Sequence, residues 1–281
     1  MRDTVMKGFE RVGTHDINLE KERLFLEQAM RLAGSEIRRI AAQGFETQYK
    51  SNQDPLTTAD LAANEILREK LTGAFPSYGW LSEETVDDPH RLTADWVWIV
   101  DPIDGTKEFV KGIPEYSISA ALVHLGVPVL GAVFNPSTEE YFSAVKGSGA
   151  SLNGYAIHGT DVLSNRPLIL GSRSEMKRGE FKEFEVDFEV RPVGSIAYKL
   201  ALVSAGKADA TFSLGPKNEW DIAAGVLLVK EAGGQAVNKE GGEFLFNRPN
   251  TLVSGIIAAS EASFSTVKQR IDAQIHDSSQ T

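Results

Sequence analysis

The feature that most constrains this chain is an apolar run that leads directly into two closely spaced acids, in the segment WIVDPIDGTKEF. Residues 96–100 are β-branched or aromatic and a proline follows almost at once, which predicts a short buried strand. Asp101 and Asp104 then lie where this strand passes into a loop. Carboxylates this close repel each other at neutral pH unless they share a proton or a cation. The fold therefore has to bring a compensating group, most simply a cation, between them.

The remaining pattern predicts helices at both ends of the chain and a mixed set of strands between them. The helices are expected near 19–42, 58–71, 195–205, 221–232 and the C-terminus. Strands are expected at 79–82, 96–100, 168–170, 209–214, 235–238 and 252–259, with two more around the Leu125-Gly126 pair and a third in EEYFSAVKG, as an antiparallel meander. This order predicts a layered α/β (α+β) protein.

The chain of 281 residues is expected to form one domain with two closely joined halves. The stretch 147–167 is richest in turn residues, which places the boundary between a half of about 1–155 and a half of about 156–281. The tail HDSSQT is expected to be frayed.

Charge and composition exclude several classes of function. There is no cysteine, which rules out disulfides, thiolate zinc sites and a cysteine nucleophile. The formal net charge of −10 disfavours a nucleic-acid polymer as partner. No apolar segment is long enough for a membrane span and the N-terminus has no signal-peptide core, so we expect a cytoplasmic protein without a membrane partner. A small anionic substrate stays compatible, because bound divalent ions reverse the sign of an acidic pocket.

Four more acids share the placement of the first pair. Glu83 and Glu84 end a predicted strand, whereas Asp60 and Asp221 stand in the first turns of predicted helices. Taken singly, each has an ordinary explanation: an aspartate in a first turn caps the helix, a glutamate pair is solvated, and Asp-Gly forms a turn. Taken together, carboxylates at strand ends and helix starts are the hard oxygen ligands that magnesium prefers.

The Gly105-Thr106 pair completes a phosphate site if a helix starts there, because backbone N–H groups then point into the pocket and glycine allows close approach. Other catalytic patterns fit poorly. The spacing D-P-I-D-G-T is one residue longer than the D-x-D-G-T of haloacid-dehalogenase phosphatases, and a calcium loop would need a glutamate at its twelfth position. The chain contains no P-loop and no G-x-S-x-G elbow, and its five histidines are scattered.

Five segments, in the order DPLTTAD, SEE, WIVDPIDGTKEF, GSIAYKLALVSAGKADA and EWDIAAGVLLVKEAGG, resemble the signature of the inositol monophosphatase family. These are lithium-sensitive, magnesium-dependent phosphomonoesterases. The match covers nearly the whole chain, and D-P-x-D-G-T followed by W-D-x-x-A-G is a highly specific combination. The resemblance implies a layered αβαβα sandwich of the inositol monophosphatase and fructose-1,6-bisphosphatase type.

The resemblance also implies roles for individual residues, with two or three Mg²⁺ ions as cofactor and inhibition by Li⁺. The first ion is assigned to Glu83, Asp101 and the carbonyl of Ile103, and the second to Asp101, Asp104 and Asp221. Thr106, oriented by Asp60, resembles the group that helps to activate the attacking water, and Glu84 reinforces this shell. A water whose pKa is lowered by metal then attacks phosphorus in line, without a protein nucleophile.

Features near the substrate favour one branch of the family. GTKEF, the GPK that precedes EWD, and Lys199 resemble the bisphosphate nucleotidase (CysQ-like) branch, which removes the 3'-phosphate of adenosine 3',5'-bisphosphate. Ser213 matches neither branch, since inositol enzymes carry a glutamate near this position and bacterial nucleotidases an arginine. The predicted substrate-binding set is Gly105, Thr106, Lys107, Gly194, Ser195, Lys199, Ser213 and Lys217. Lys111 is a weaker candidate, and it and Lys217 are equally well explained as solvated lysines.

Alternatives stay open at this point. EYFSAVKGSGASLNG and SGIIAAS are closer to the general inositol phosphatase pattern, so an inositol-1-monophosphatase or a broad sugar-phosphate phosphatase is the second interpretation. A non-catalytic metal-binding or phosphate-binding protein is a remote third. The expected partner is a small phosphate ester, and the chain is expected to be a monomer or a homodimer.

Overall fold

The computed structural model describes residues 18–50 and 54–278, with side chains described up to residue 274. The predicted fraying of the tail concerns residues that lie mostly outside this range. Within the described part there are seven α-helices: α1 Glu20–Gln43, α2 Thr58–Ala74, α3 Thr106–Val110, α4 Arg173–Lys177, α5 Ile196–Ser204, α6 Glu219–Glu231 and α7 Glu261–Ser278. Among the described helices, none is long and apolar enough to traverse a bilayer.

The described strands number sixteen, and their bounds are as follows: β1 Thr47–Tyr49, β2 Pro55–Thr57, β3 Gly79–Ser82, β4 Trp96–Asp104, β5 Ser117–His124, β6 Val127–Asn135, β7 Glu140–Val145, β8 Gly149–Leu152, β9 Tyr155–Ile157, β10 Leu168–Gly171, β11 Glu189–Pro192, β12 Ala210–Ser213, β13 Lys217–Asn218, β14 Gln235–Val237, β15 Leu252–Val253 and β16 Ile256–Ala259.

Most of these strands belong to two sheets. The larger sheet has seven strands in the order β3-β4-β5-β6-β7-β8-β9, antiparallel except for the parallel pair β3 and β4. The smaller has five strands in the order β11-β10-β12-β16-β14, in which β10 runs parallel to both of its neighbours. Two short antiparallel pairs, β1 with β2 and β13 with β15, stand apart from them.

The two sheets stack with helices into five layers. Helices α1 and α2 cover one face of the larger sheet, α5 and α6 lie between the two sheets, and α7 packs on the outer face of the smaller sheet. The layers therefore run αβαβα, which confirms the fold class expected from the sequence.

Strand β4 is apolar from Trp96 to Val100 because both faces of this part are covered. Trp98 and Val100 point into the core beneath α1 and α2, whereas Val97 and Ile99 point into the core around α5 and α6. Helix α6 is apolar all round for the same reason, since it lies between two sheets. Burial of both elements fixes the acidic residues at their ends in place.

The structure corrects several predicted boundaries. Strand β4 does not end at Val100 but continues to Asp104, because Asp101 pairs with Ser119 and Asp104 with Ser117, with an irregular register between these two pairs. The predicted strand 252–259 is two strands in different sheets: β15 pairs with β13, and β16 pairs with β12 and β14. The turn-rich stretch contains β8 and β9, and β1, β2, β11 and α4 were not among the predicted elements.

Candidate active site

A cavity of about 480 Å³ opens beside the end of β4 and the start of α6. Most of the residues predicted for the site line it: Glu83, Asp101, Ile103, Asp104, Gly105, Thr106, Lys107, Gly194, Ser195, Lys199, Lys217 and Asp221. Three predicted residues, Asp60, Glu84 and Ser213, are absent from this lining and contact residues of the wall instead.

Three carboxylates of the wall form what we term the acidic cluster: Glu83, Asp101 and Asp221. One oxygen from each lies within 4.8 Å of the others. Glu83 and Asp101 come together because the parallel strands β3 and β4 are neighbours and both end on this side. Asp221 is placed at the same point by the N-terminus of α6, where it accepts a bond of 2.9 Å from the backbone N–H of Asn218 in a capping box.

The acidic cluster is electrostatically unfavourable without a cation. Burial raises the pKa of Asp101 well above its ordinary value, and the negative charges of Glu83, Asp104 and Asp221 raise it further. Burial likewise raises the pKa of Asp221, with Asp104 and Glu83 adding to the effect. Clustered carboxylate oxygens that resist ionisation together are a donor set that fits a hard divalent ion such as magnesium.

Asp104 stands beside the cluster with one of its oxygens already engaged. Its Oδ2 accepts bonds of 2.6 Å from the hydroxyl of Ser195 and 2.6 Å from the backbone N–H of Ala197, at the N-terminus of α5. Burial raises the pKa of Asp104 to about 6, although these two bonds and Lys199 oppose the rise. Its Oδ1 is therefore the oxygen left for a cation.

The Gly194-Ser195 pair holds Asp104 in this position through a strained backbone. Ser195 has φ 57° and ψ 120°, an unusual conformation for a non-glycine residue, which costs about 1 to 3 kcal/mol. Its hydroxyl donates to Asp104 and also accepts from the N–H of Tyr198 at 2.9 Å. A side chain at Gly194 would lie 2.4 Å from Cγ of Glu108, so only glycine fits there. Strain retained at such a point is typical of functional sites.

Thr106, which lines the cavity, forms a hydrogen bond with Asp60, which lies behind it. The Thr106 hydroxyl lies 3.1 Å from Oδ1 of Asp60 and 3.0 Å from the carbonyl of Ile103. Asp60 also accepts from the N–H of Thr57 at 2.8 Å, as the third residue of α2. Burial raises the pKa of Asp60, while its hydrogen bonds with Thr57 and Thr106 oppose that rise. Asp60 is thus the helix cap that one explanation predicted, and its contact with Thr106 places it beside the cavity.

Helix α3 starts at Thr106, immediately after Gly105, as the phosphate-site hypothesis requires. Gly105 has φ 95°, a conformation that glycine adopts without strain, and a Cβ there would lie 3.0 Å from the carbonyl oxygen of Glu115. The cavity is lined by Gly105, Thr106 and Lys107, the residues that open the helix. Backbone amides at a helix start are donors that can bind an anion.

Glu84 is tied to the acidic cluster through Lys50, which the sequence did not single out. The Lys50 ammonium lies 2.7 Å from an oxygen of Glu83 and 2.7 Å from an oxygen of Glu84. Burial raises the pKa of Glu84, and the bond from Lys50 opposes this. Lys107, which the sequence did predict for the site, has its ammonium 2.5 Å from a carboxylate oxygen of Asp54.

Another part of the cavity lining combines two lysines with one carboxylate. We term these residues, Glu175, Lys199 and Lys217, the lysine wall. Lys199 is 1% exposed, and burial lowers its pKa while Glu175 and Asp104 oppose that shift. The ammonium of Lys217 lies 3.6 Å from Oε1 of Glu175. Ser213 does not line the cavity: it lies behind Glu175 and donates to the same oxygen.

Glu175 is one of the cavity residues that the sequence reasoning missed. It is 3% exposed and is the third residue of α4, whose N-cap is Ser172. The S-x-x-E pattern of 172–175 was a detectable helix start. Only the folded chain, however, brings α4 to the cavity beside Ser213 and Lys217, far along the sequence.

Comparison with known proteins defines the class to which this site belongs. The model of the Inositol monophosphatase family matches residues 18–279, nearly the whole chain. The protein therefore belongs to the inositol monophosphatase family, as the sequence motifs indicated, and is a phosphoric monoester hydrolase.

Individual relatives place it within that class. An inositol-1-monophosphatase of Rhizobium meliloti is 36% identical over 231 residues, covering 76% of this chain and 84% of the relative. The IMPase of Thermotoga maritima superposes with a TM-score of 0.80 at 29% identity, covering 91% of this chain and 99% of that one. CysQ of Bacteroides thetaiotaomicron superposes with a TM-score of 0.72 at 27% identity, covering 88% and 99%.

Proposed function

We propose that this protein is a magnesium-dependent phosphomonoesterase that prefers esters carrying a second anionic group, with adenosine 3',5'-bisphosphate as the leading substrate. The observation that supports this best is the composition of one continuous cavity. Its lining contains the acidic cluster and also two lysines, Lys199 and Lys217. Such a lining can bind a scissile phosphate through a cation on the acidic cluster and a further negative charge through the lysines.

The cation would be held by the carboxylates already described. Glu83, Asp101 and the carbonyl of Ile103 would hold one ion, and Asp101, Asp104 and Asp221 a second. When bound, magnesium would lower the pKa of the attacking water and stabilise negative charge on phosphate and leaving-group oxygens. Binding also relieves the repulsion that raises the pKa values of Asp101 and Asp221.

The chain's own groups orient the reactants. The Thr106 hydroxyl donates to Asp60 or to the carbonyl of Ile103, so its lone pairs remain to accept a hydrogen bond from the attacking water. Backbone N–H groups at Gly105 and Thr106 would bind phosphoryl oxygens. The oxygen of water then bonds to phosphorus as the ester P–O bond breaks. The proton of water passes toward the Thr106 and Asp60 pair, and the leaving alkoxide takes a proton from solvent.

The two lysines distinguish a bisphosphate from a monophosphate. Together with Glu175 they carry a surplus of one positive charge, and magnesium on Asp104 would remove another negative charge from beside Lys199. An ammonium bound to a second phosphate contributes about 1.5 to 3 kcal/mol, or about tenfold to a hundredfold in binding. An inositol monophosphate has no second phosphate to gain this interaction.

Hydrolysis of inositol 1-phosphate is the second candidate function. It is favoured by the similarity to the Rhizobium meliloti inositol-1-monophosphatase and by Glu175, since ring hydroxyls are donors that a carboxylate accepts. The two candidates share the chemistry at the acidic cluster and differ at the lysine wall.

A substrate panel with purified protein and magnesium separates the two. We expect kcat/KM to be about tenfold or more higher for adenosine 3',5'-bisphosphate than for adenosine 3'-monophosphate or inositol 1-phosphate. Replacement of Lys217 by Met should reduce that preference about tenfold and leave hydrolysis of the monophosphates nearly unchanged. Lys182→Met, at an exposed lysine outside the cavity, is the matched control. Equal or faster hydrolysis of inositol 1-phosphate by the parent would move the assignment to the inositol candidate.

A further inference from the structure

Glu175 takes no part in bond making or breaking in the proposed reaction, yet it lies in the wall of the same cavity. Its two oxygens are held by serines on either side: Ser213 donates to Oε1 and Ser172 donates to Oε2. The backbone N–H of Glu175 in turn donates to the Ser172 hydroxyl at 3.2 Å. The carboxylate is therefore fixed in orientation by groups from two separate elements, β12 and the start of α4.

The carboxylate is also kept in its charged form. Burial alone would raise the pKa of Glu175, but the positive charges of Lys199 and Lys217 and the two serine hydroxyls bring it below its ordinary value. An ionised carboxylate offers about four acceptor positions. The two serines use two of them, so the group retains acceptor capacity while lining the cavity.

The charges around Glu175 select the kind of group that it would accept. A cationic ligand is disfavoured because Lys199 and Lys217 already compensate the negative charge and would repel it. An anionic ligand would be attracted to the lysines but repelled by the carboxylate itself. A neutral donor meets neither penalty, and a hydroxyl is the neutral donor that an alcohol leaving group most commonly carries.

We propose that Glu175 is a specificity-determining residue that accepts a hydrogen bond from a free hydroxyl of the leaving group, so that polyhydroxylated phosphate esters are preferred over their deoxy counterparts. This inference rests on the proposed phosphatase activity but not on the identity of the second anionic group. It applies equally to a ribose with a hydroxyl beside the scissile ester and to a polyol ring.

Matched substrate pairs that differ in hydroxyl groups test the inference. One pair is adenosine 3'-monophosphate with 2'-deoxyadenosine 3'-monophosphate, and the other is inositol 1-phosphate with cyclohexyl phosphate. In at least one pair, the parent should show a kcat/KM about tenfold or more higher for the hydroxylated member. Replacement of Glu175 by Gln should reduce that ratio to within about threefold of unity, mainly through the hydroxylated member. Glu175→Ala should do the same if the Gln variant folds poorly.

Control measurements separate recognition from a structural role. Glu180→Gln makes the same change in the same segment, at a residue paired with Arg178 and outside the cavity, and should leave the ratio at its parental value. A merely structural Glu175 would lower kcat/KM for both members of a pair alike and leave the ratio unchanged, which would overturn the inference. So would a parent that shows no discrimination in either pair, or that hydrolyses none of the four esters. If the protein does not prefer the bisphosphate but still discriminates between hydroxylated and deoxy esters, only the proposed leading substrate is rejected. The inference on Glu175 then stands.

Discussion

The acidic cluster and the lysine wall line one cavity, and the neighbouring charges act on the pKa values of their carboxylates in opposite ways. In the acidic cluster burial and like charges both raise the pKa values of Asp101 and Asp221. At the lysine wall the neighbours of Glu175 carry the opposite charge, and its pKa falls below the ordinary value in spite of burial. The like charges of the acidic cluster therefore need a proton or a cation, whereas the charge of Glu175 is compensated by lysines of the protein. In the proposed function, the acidic cluster carries the chemistry and the lysine wall carries recognition.

The largest effect that tests this division is expected from Asp101→Asn. The amide keeps an acceptor for the N–H of Ile103, which lies 3.0 Å from Oδ1 of Asp101, but it removes one of the repelling charges. We expect kcat/KM to fall about a thousandfold or more, because charge stabilisation by metal is worth several kcal/mol. The melting temperature in excess chelator should rise at the same time. Near-parental activity at ordinary magnesium, or a lower melting temperature in chelator, would show that the cluster is not the metal site.

A smaller loss is expected from Thr106→Val, which removes the hydroxyl that bridges Asp60 and Ile103. Positioned proton transfer contributes about a hundredfold to ten-thousandfold, so kcat should fall about a hundredfold with little change in KM. Thr106→Ser keeps the hydroxyl and should retain most of the activity. Similar rates for the Val and Ser variants would remove Thr106 from the reaction and leave it as a packing residue.

The smallest expected effect concerns stability and pH. Because the pKa of Asp104 in the folded protein is about 6 against its ordinary value of 3.8, the folded state binds more protons than the unfolded state between these values. Its contribution to the free energy of unfolding therefore decreases as pH rises through that window, and Asp101 and Asp221 act in the same direction. Magnesium binding is favoured by the same deprotonation.

We therefore expect the gap in melting temperature between magnesium-loaded and chelated protein to widen by a few degrees from pH 5 to pH 7. Thermal unfolding at matched ionic strength measures it, and Asp101→Asn should show a smaller widening. If the gap in melting temperature is the same at both pH values, magnesium binding is not linked to deprotonation of the acidic cluster.

Local sequence signals sufficed for the acidic cluster but not for the lysine wall. Asp101 follows an apolar strand and Asp221 opens an apolar helix, so each could be placed from its immediate neighbours. Glu175 reads locally as a cap residue, and its role depends on contacts with Ser213 and Lys217 that only the assembled sheets create. The same limit explains Ser213, which was expected in the cavity but lies behind Glu175.

The fold shows a similar division. The helices and the central strands followed from periodicity, because burial on one or two faces leaves a clear apolar pattern. The length of β4 did not, since its continuation past Val100 depends on pairing with Ser119 and Ser117 in β5. The split between β15 and β16 likewise depends on partners from different sheets.

In the acidic cluster, Glu83 follows a strand of the larger sheet and Asp221 belongs to the helix α6 between the sheets. Their oxygens therefore meet only when α6 has packed on the larger sheet. We expect such contacts to form after the folding transition state, and an interaction of this kind changes the unfolding rate rather than the folding rate. In metal-free protein we therefore expect mutual repulsion to shorten the lifetime of the native state without slowing its formation. A bound cation would lengthen that lifetime, so supply of the ion would govern how long each molecule survives proteolysis as well as how fast it turns over.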